Sequence, residues 1–391
     1  MNDRFTETTQ TGWFSRLGSA FGGVVVGLIA VIVGCALLGW NEHRAVQTER
    51  ALNQGAGVVR NIGADAVDPA NEGALVHVSG TTTVGGPVTD SSWPVSATAL
   101  RLIRNVEMYQ WRETSRSETR TRLGGGEETV TTYEYDRVWS DTPQDSSSFR
   151  HPSGHENPPF PVEPQAFTAD DARLGAFWLS DEIIEQAGTA EALTFDEPTR
   201  AALEAQAGDR ATVSATEIYL GTNPSSPQIG DARVSYQVVR PGELSVVGAQ
   251  SGDGFIPYRA DSGGQILLVA DGRVPAADMF QTAQDNNRML LWALRAGGLL
   301  VIIIGFNMIF QPLKVLADVL PPVGAIVGMG TGLISLLLGL LLGGVVIAVA
   351  WFAVRPLLSV GILTGVALLV AFLWRTGRLR LKRKREAAAA A

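Results

Sequence analysis

The apolar residues of the chain are concentrated at its two ends. Residues 21–40, 323–354 and 357–374 contain no charged side chain, and residues 289–310 contain a single arginine. About 20 apolar residues in a helix cross the roughly 30 Å hydrocarbon layer of a membrane. We therefore predict four transmembrane helices, at residues 20–40, 289–310, 323–354 and 356–374. The alternative, burial as core helices of a large globular protein, does not suit uncharged runs of this length.

The first apolar run is distinguished from a cleaved signal peptide by its length. No small-residue cleavage site follows Trp40. We interpret the run as an uncleaved anchor whose helix continues to about Gly55. Cys35, inside this run, is the only cysteine of the chain, which excludes an internal disulfide and a cysteine-based zinc site.

The charges that flank the apolar runs predict the topology. Basic residues near the ends of membrane helices stay in the cytoplasm, and residues 375–391 form a basic tail. Its basic side chains are Arg375, Arg378, Arg380, Lys382, Arg383, Lys384 and Arg385. Counting back across the helices places residues 1–19 and a loop at 311–322 in the cytoplasm. Residues 41–288, with a net charge of −16, then lie on the opposite side. The tail is also expected to contact anionic lipid.

The segment between the first two membrane helices has the pattern of an α+β domain with a mainly antiparallel sheet. The predicted strands are residues 74–84, 99–113, 129–138, 211–220, 231–239, 244–249 and 265–270. A helical pattern covers residues 172–206, with Asp181 as an N-cap, and residues 276–288 form a helix that continues into the second membrane helix. Residues 120–128 are predicted as an exposed hairpin tip and residues 140–164 as a long loop.

The composition is that of a membrane protein with an acidic polar domain. Hydrophobic residues make up 46% of the 391 residues, charged residues make up 18%, and the net charge is −8. A disordered chain would be poorer in apolar residues, and a nucleic-acid-binding protein usually has a basic folded part. Arginine outnumbers lysine 28 to 3, which favours a GC-rich bacterial genome.

Two short motifs of the polar domain resemble chemical sites but have simpler explanations. Residues 261–264 (Asp-Ser-Gly-Gly) match part of a serine-protease loop, yet no histidine stands in a partner motif, and a glycine-rich turn explains them. On a helix, His151 and His155 would share a face and could hold a metal with Glu156. The prolines and glycines around them favour a solvated loop instead. We therefore predict no catalytic residue, no cofactor and no metal site.

Glycines at G-x-x-x-G spacing occur in the predicted membrane helices. They are Gly23, Gly27, Gly324, Gly328, Gly332, Gly339, Gly343, Gly361 and Gly365. This spacing forms a flat groove in which two helix backbones can approach closely. Two alternatives are open: packing of helices within one subunit and packing between subunits.

A small set of polar and aromatic residues lies in or beside the membrane helices. The set comprises Trp40, Asn41, Glu42, Arg44, Arg295, Asn307 and Arg355. An ionisable side chain in hydrocarbon usually faces protein or water. Arg295 and Arg355 are therefore either interfacial anchors that extend toward water or have carboxylate partners, with Glu42 as the candidate for Arg295. The acidic residues at mid-membrane that a proton-coupled transporter normally has do not occur here.

Several stretches of the chain match a known family in the same order. They are residues 40–45 (WNEHRA), 77–80 (HVSG), 100–113 (LRLIRNVEMYQWRE), 230–236 (GDARVSY), 292–298 (WALRAGG), 305–307 (GFN) and 312–313 (PL). With the four-helix layout, they make the chain resemble the transmembrane protein 43 (LUMA) family over nearly its whole length. His43 stands where glycine is common in the family, and the tail after Trp374 is its own.

The resemblance implies a multipass membrane protein without a catalytic motif. Animal members are proteins of the endoplasmic reticulum and inner nuclear membrane viewed as self-associating scaffolds, and membrane-conductance roles have also been attributed to them. We therefore expect a membrane scaffold, not an enzyme, that organises protein or lipid assemblies through its large extracytoplasmic domain. The alternative is a channel or lipid-handling assembly.

The same resemblance sets the expected partners and location. The partners are membrane lipids, further copies of the chain and other membrane or extracytoplasmic proteins, but no nucleic acid. The location is a bacterial inner membrane with the domain in the periplasm. In a eukaryote it is the endoplasmic reticulum or inner nuclear membrane with the domain in the lumen.

Overall fold

The chain forms two compact units, as seen in a computed structural model. The described residues are 3–208, 211–351, 360–361, 364–365 and 375. The sheet unit consists of Met1–Glu7, Ala51–Ser117 and Val130–Ala283. The helical unit consists of Thr8–Arg50, Glu118–Thr129 and Gln284–Ala391.

Five α-helices occur in the described residues. They are α1 (Trp13–Val58), α2 (Asp181–Gln186), α3 (Glu197–Ala207), α4 (Ala276–Ala317) and α5 (Pro321–Trp351). α1, α4 and α5 are long and apolar enough to cross a membrane, and they coincide with the first three predicted spans. The fourth predicted span, 356–374, lies outside the described residues except at 360–361 and 364–365.

Some ends of the long helices agree with the predicted boundaries and others do not. The extension of α1 to Val58 and the start of α4 at Ala276, both next to the polar domain, are as expected, whereas α1 begins earlier than predicted, at Trp13. The loop predicted at 311–322 shrinks to a turn, because α4 continues through Pro312 to Ala317. Proline is tolerated in membrane helices because neighbouring groups can satisfy the freed backbone carbonyl.

Two main sheets, both largely in the sheet unit, contain most of the strands. The strands are β1 (Asp3–Thr11), β2 (Arg60–Ile62), β3 (Leu75–Val84), β4 (Val88–Thr89), β5 (Ser96–Ala97), β6 (Arg101–Thr121), β7 (Glu127–Ser140), β8 (Gln165–Thr168), β9 (Ala172–Leu174), β10 (Phe177–Trp178), β11 (Glu191–Ala192), β12 (Ala211–Val213), β13 (Glu217–Leu220), β14 (Ala232–Val239), β15 (Glu243–Ser251), β16 (Gly254–Ile256), β17 (Tyr258–Arg259), β18 (Gln265–Ile266) and β19 (Leu268–Asp271). The first sheet has the order β1-β7-β6-β14-β13-β12, with β8 beside β6 and β11 beside β14. The second has the order β10-β9-β3-β15-β16, with β19 beside β15 and β2 parallel to β3.

Alternating side chains from both sheets form one apolar core. In the first sheet, Leu102 of β6 and Val234 of β14 point into it; in the second, Val76 of β3 and Val246 of β15 do the same. This alternation is typical of antiparallel strands with one face on a core. The prediction of a mainly antiparallel sheet domain is confirmed.

Several local predictions for the polar domain are wrong. Residues 172–206 are not one helical stretch, because Ala172–Leu174 and Phe177–Trp178 pair as a short hairpin before α2. Ser180, not Asp181, is the N-cap of α2. The predicted strand 211–220 is a hairpin, β12–β13, and the predicted strand 265–270 is divided between β18, which pairs with β17, and β19, which pairs with β15. In these stretches a turn or a change of pairing partner interrupts a pattern that is continuous in the sequence.

β1 is an unexpected element, since the sequence predicted only a cytoplasmic N-terminus there. It pairs with β7 at the edge of the first sheet. Its threonine-rich composition is the signal for a strand. The charge-derived topology places residues 1–19 and 41–288 on opposite sides of a membrane, whereas this pairing requires β1 and β7 on the same side.

Candidate functional site

A buried ion pair joins α1 to α4 in the helical unit. The Glu42 carboxylate accepts two hydrogen bonds from Arg295, with an Nε–Oε1 distance of 2.6 Å and an Nη2–Oε2 distance of 2.8 Å. The Glu42 side chain is fully buried, and that of Arg295 is 12% exposed. The Arg295 guanidinium carbon also lies 4.7 Å from the centroid of the Trp292 ring. Such a two-point contact is strong and geometrically specific, and Glu42 is the partner expected for Arg295.

Neighbouring polar side chains extend this contact along the two helices. The Asn41 amide donates to the Leu291 carbonyl at 3.1 Å. The Arg44 guanidinium donates to the Asn287 side chain at 3.1 Å, and the Asn287 amide donates to the Ala45 carbonyl at 3.0 Å. The sequence stretch at 40–45 therefore carries a helix–helix contact.

The other members of the predicted polar set lie outside this cluster. Trp40 and Asn307 are exposed, and exposure of Trp40 beside an apolar run suits an interfacial anchor. His43 is exposed as well, so its difference from glycine does not affect helix packing. Arg355 lies outside the described residues, as does the basic tail apart from Arg375, which is exposed.

Glycines allow α1 and α4 to approach at the level of the backbone. A Cβ atom at Gly27 would lie 2.6 Å from the carbonyl oxygen of Gly305. One at Gly34 would lie 2.6 Å from a side-chain carbon of Ile302 and 3.1 Å from the carbonyl oxygen of Gly298. Each helix thus contributes two glycines seven residues apart, a spacing that returns to one face after two turns. Of these four glycines, only Gly27 was predicted from G-x-x-x-G spacing. The seven-residue repeat is the sequence signal that indicates the other three.

Predicted glycines of α5 also pack inside the subunit. A side chain at Gly339 or at Gly343 would overlap an α4 side chain. Gly324 has no room because Asp318 lies against it, while Gly328 has ordinary contact distances to Lys314. For these residues, and for Gly27, Gly34, Gly298 and Gly305, the observed packing is within one subunit.

Some predicted glycines face open space. Within the part of the chain that the structure describes, nothing lies within 4 Å of a Cβ placed at Gly23, Gly332, Gly361 or Gly365. Packing between subunits stays a prediction for these four positions.

A second buried charge cluster lies where α1 begins and α4 ends. One terminal nitrogen of Arg16 is 2.6 Å from Asp318 Oδ2 and 2.6 Å from Glu127 Oε1. The other donates to the carbonyl of Gly125. The side chains of Arg16 and Asp318 are nearly fully buried, and that of Glu127 is partly exposed. Two carboxylates surround one guanidinium, so the cluster has a formal charge of −1.

The same contacts hold the tip of the β6–β7 hairpin against the helix ends. The Gly124 amide donates to the Val319 carbonyl at 3.2 Å, and the Trp13 indole donates to the Val315 carbonyl at 2.8 Å. Gly125 is buried against Trp13 with φ +80°, a backbone conformation that favours glycine. The prediction of an exposed tip is therefore wrong for Gly125, because tertiary contacts cover it.

Arg16 belongs to the segment 1–19 that the sequence places in the cytoplasm, and neither Asp318 nor Glu127 was among the predicted site residues. The sequence did contain a signal for the Arg16–Asp318 pair. Arg16 precedes the apolar run at 21–40, and Asp318, of opposite charge, precedes the run at 323–354. The third partner comes from a distant hairpin, and nothing in its local sequence indicates that contact.

Comparison with known proteins identifies the family. The family model for transmembrane protein 43 matches residues 108–356. Transmembrane protein 43 of Mus musculus is 31% identical over 382 residues, which cover 94% of both chains. The chain belongs to the transmembrane protein 43 family. The Homo sapiens protein is 30% identical over 382 residues, covering 94% of this chain and 93% of its own. The Drosophila melanogaster homolog is 30% identical over 369 residues, covering 90% and 94%.

Family membership makes the chain a membrane protein with transmembrane helices and confirms the resemblance seen in the sequence. The family-model match contains Arg295, the hairpin tip and the glycines of α4 and α5, whereas Glu42 and Gly27 precede it. No solved structure matches the chain.

Proposed function

We propose that this protein is a multipass membrane scaffold, not an enzyme, that self-associates and organises protein or lipid assemblies through its large polar domain. The observation that carries this proposal is the pairing of charge inside the helical unit. Glu42 binds Arg295 and Asp318 binds Arg16, so these charges are paired with one another inside the helical unit. The helices then serve as an anchor, and the polar domain is the part available to partners.

Open glycine positions support self-association through the helices. Gly332 of α5 lies among exposed apolar side chains such as Met329 and Leu333. Small residues on a lipid-facing surface let a second helix approach closely.

Particle mass in a lipid nanodisc tests self-association. We expect a multiple of the 41.6 kDa subunit, reduced by Gly332→Leu and retained by Gly332→Ala, which keeps the residue small. A monomeric wild-type protein would contradict the proposal. Leucine at Gly324 is unsuitable for this test, because the added side chain would overlap Asp318 within the subunit.

The basic residues of the tail at 375–391 support a cytoplasmic C-terminus and, counted back across three of the four predicted helices, a polar domain outside the cytoplasm. The β1–β7 pairing then requires β1 on the same side as that domain. The arginine-rich composition supports a bacterial inner membrane, whereas the animal relatives support the endoplasmic reticulum or inner nuclear membrane as the alternative.

Labelling intact cells with a membrane-impermeant maleimide tests on which side of the membrane the polar domain lies. Single cysteines replace Ser225 and Leu123 in a Cys35→Ser background. We expect labelling at Ser225; protection there with labelling only after permeabilisation would contradict the assignment. Leu123 reports separately whether the hairpin tip shares the side of Arg16.

Lipid handling is the second candidate function. It is favoured by a cavity of about 420 Å³ in the helical unit, which is lined by both polar and apolar residues.

A further inference from the structure

The cavity lies between the beginning of α1, the second half of α4 and the hairpin tip, all within the helical unit. Its volume of about 420 Å³ is within the range of roughly 300–1,000 Å³ typical of small-ligand sites. This volume exceeds that of a single water molecule many times. The cavity is therefore large enough for part of a lipid.

The residues that line the cavity are of two chemical kinds. Thr11, Ser19 and Gln311 supply hydroxyl and amide groups. Gly23 and Met308 are apolar, and other α1 residues have exposed apolar side chains. A molecule that fits this lining has a polar headgroup joined to an apolar chain.

The charge of the cavity favours a cation over an anion. The Arg16 guanidinium lines the cavity, but its terminal nitrogens already bind Asp318, Glu127 and the Gly125 carbonyl. Glu127 also lines the cavity and is partly exposed. An incoming anion would meet an occupied guanidinium and an extra carboxylate, whereas an ammonium group would meet the excess negative charge.

Among the residues that the structure describes, other charges at this end of the helices do not reverse the balance. Arg122 is paired with Glu128 in the hairpin. The Lys314 side chain packs along Gly328 of α5, and neither Arg122 nor Lys314 lines the cavity.

We propose that this cavity binds the ammonium headgroup of a zwitterionic membrane lipid of the phosphatidylethanolamine kind. Glu127 accepts the ammonium, the hydroxyl and amide groups donate to the phosphate, and the first acyl methylenes lie along Gly23 and Met308. The inference rests on the proposed membrane anchoring but not on self-association.

Gly23 offers a specific way to block the cavity. A Cβ atom at Gly23 meets nothing within 4 Å, so Gly23→Leu fills cavity space without a clash. Gly22 also has open space around a Cβ but does not line the cavity. Gly22→Leu is therefore the matched control in the same helix turn.

Native mass spectrometry of the full chain tests the proposal. The protein, delipidated in detergent, is incubated with phosphatidylethanolamine or with phosphatidylglycerol of identical acyl chains. We expect one phosphatidylethanolamine per subunit, about tenfold preferred over phosphatidylglycerol, since a hydrogen bond to a charged group contributes roughly 1.5–3 kcal/mol. Gly23→Leu should lose this binding, Gly22→Leu should keep it, and Glu127→Gln should abolish the preference while leaving the cavity shape unchanged.

Equal binding of the two lipids, or equal binding by Gly23→Leu and Gly22→Leu, would overturn the proposal. If Gly23→Leu does not fold, the Glu127→Gln comparison decides alone. The same spectra report subunit number, so a monomer that retains phosphatidylethanolamine refutes self-association and supports the lipid site.

Discussion

The sheet unit and the helical unit expose opposite kinds of side chain. In the sheet unit, Val76, Leu102 and Val246 are fully buried, as expected when water drives apolar groups together. In the helical unit, Ile32 and Met329 are 67% and 70% exposed. Apolar surface turned outward is stable only in a lipid environment, where close backbone contact and polar pairs hold helices together. Whether apolar side chains are buried or turned outward thus depends on whether water or lipid surrounds the unit.

Both units nevertheless bury an arginine–carboxylate pair, and the surroundings differ. In the sheet unit, Arg104 contacts Asp90 at 2.5 Å, and the Tyr236 hydroxyl donates to Asp90 at 2.8 Å. Burial, together with the neighbouring carboxylate, raises the pKa of Tyr236 well above its usual value, so it stays a donor. This pair lies inside an apolar core, whereas Glu42–Arg295 lies at the end of an apolar run, with the Arg295 side chain 12% exposed.

The largest expected effect is loss of one partner of the sheet-unit pair. Arg104→Met leaves Asp90 buried without its cation, and we expect a loss of about 3–5 kcal/mol in unfolding free energy. Urea unfolding followed by tryptophan fluorescence measures it. Arg240→Met, which breaks an exposed pair with Glu191, should cost less than about 1 kcal/mol. Equal losses for the two variants would show that burial of the Arg104 pair has no energetic consequence.

The next effect concerns the glycine contact of the helical unit. Gly305→Leu inserts a side chain where the Gly27 carbonyl oxygen lies 2.7 Å from a Cβ, and we expect a loss of about 3 kcal/mol from overpacking. Thermal unfolding in detergent, followed by circular dichroism, measures the change. Gly297→Leu on the same helix meets nothing within 4 Å and should leave the midpoint unchanged. An unaltered midpoint for Gly305→Leu would mean that α1 and α4 do not meet there.

A smaller effect is expected at the membrane-proximal pair. Glu42→Gln should cost about 2 kcal/mol, less than the loss at Arg104, because Arg295 is partly exposed and can extend toward water. A double-mutant cycle with Arg295→Gln isolates the pair from other effects of each substitution. Additive losses in that cycle would argue that the two side chains do not interact in the membrane.

The smallest effect is a pH dependence in the sheet unit. Burial lowers the pKa of His77 from its usual 6.5, and its Nε2 lies 3.0 Å from the Val274 carbonyl. Below pH 6.5 the unfolded chain binds more protons at this site than the folded chain does. The stability contributed by neutral His77 is therefore present above that pH and is lost as the pH falls.

His77→Gln supplies the control for the pH dependence. Urea midpoints between pH 5 and 7.5 should fall less steeply for the variant than for the wild type, since the site no longer titrates. Parallel curves would assign the pH dependence to other groups.

Much of the architecture was predictable because it depends on local periodicity. Alternation over residues 231–239 and 244–249 predicted β14 and β15. Long apolar runs predicted α1, α4 and α5, and the fourth predicted helix lies largely outside the described residues. The loop containing His151 and His155 was also predicted, but the expected solvation is wrong for His155, which is 3% exposed and packs against the rings of Tyr135 and Trp111. Residues 172–206 were not, because short strands and helices there depend on pairing partners elsewhere in the chain.

The candidate site was predictable only where chemistry left few choices. Arg295 in an apolar run needs a carboxylate, and Glu42 is the acidic residue next to the first run. Arg16 had two carboxylate partners, one from the α4–α5 turn and one from a hairpin more than 100 residues away. Its surroundings could not be read from neighbouring residues.

The sequence by itself determined the three apolar helices and the long central strands such as β14 and β15, because hydrophobic period and run length are local properties. It also determined the family, since the matched residues recur in order along the chain. Only the tertiary structure decided which glycines meet inside the subunit, which carboxylates neutralise Arg16, and that the hairpin tip covers the helix ends. Those outcomes depend on the register between distant segments, which is set by steric fit and charge pairing across the folded chain.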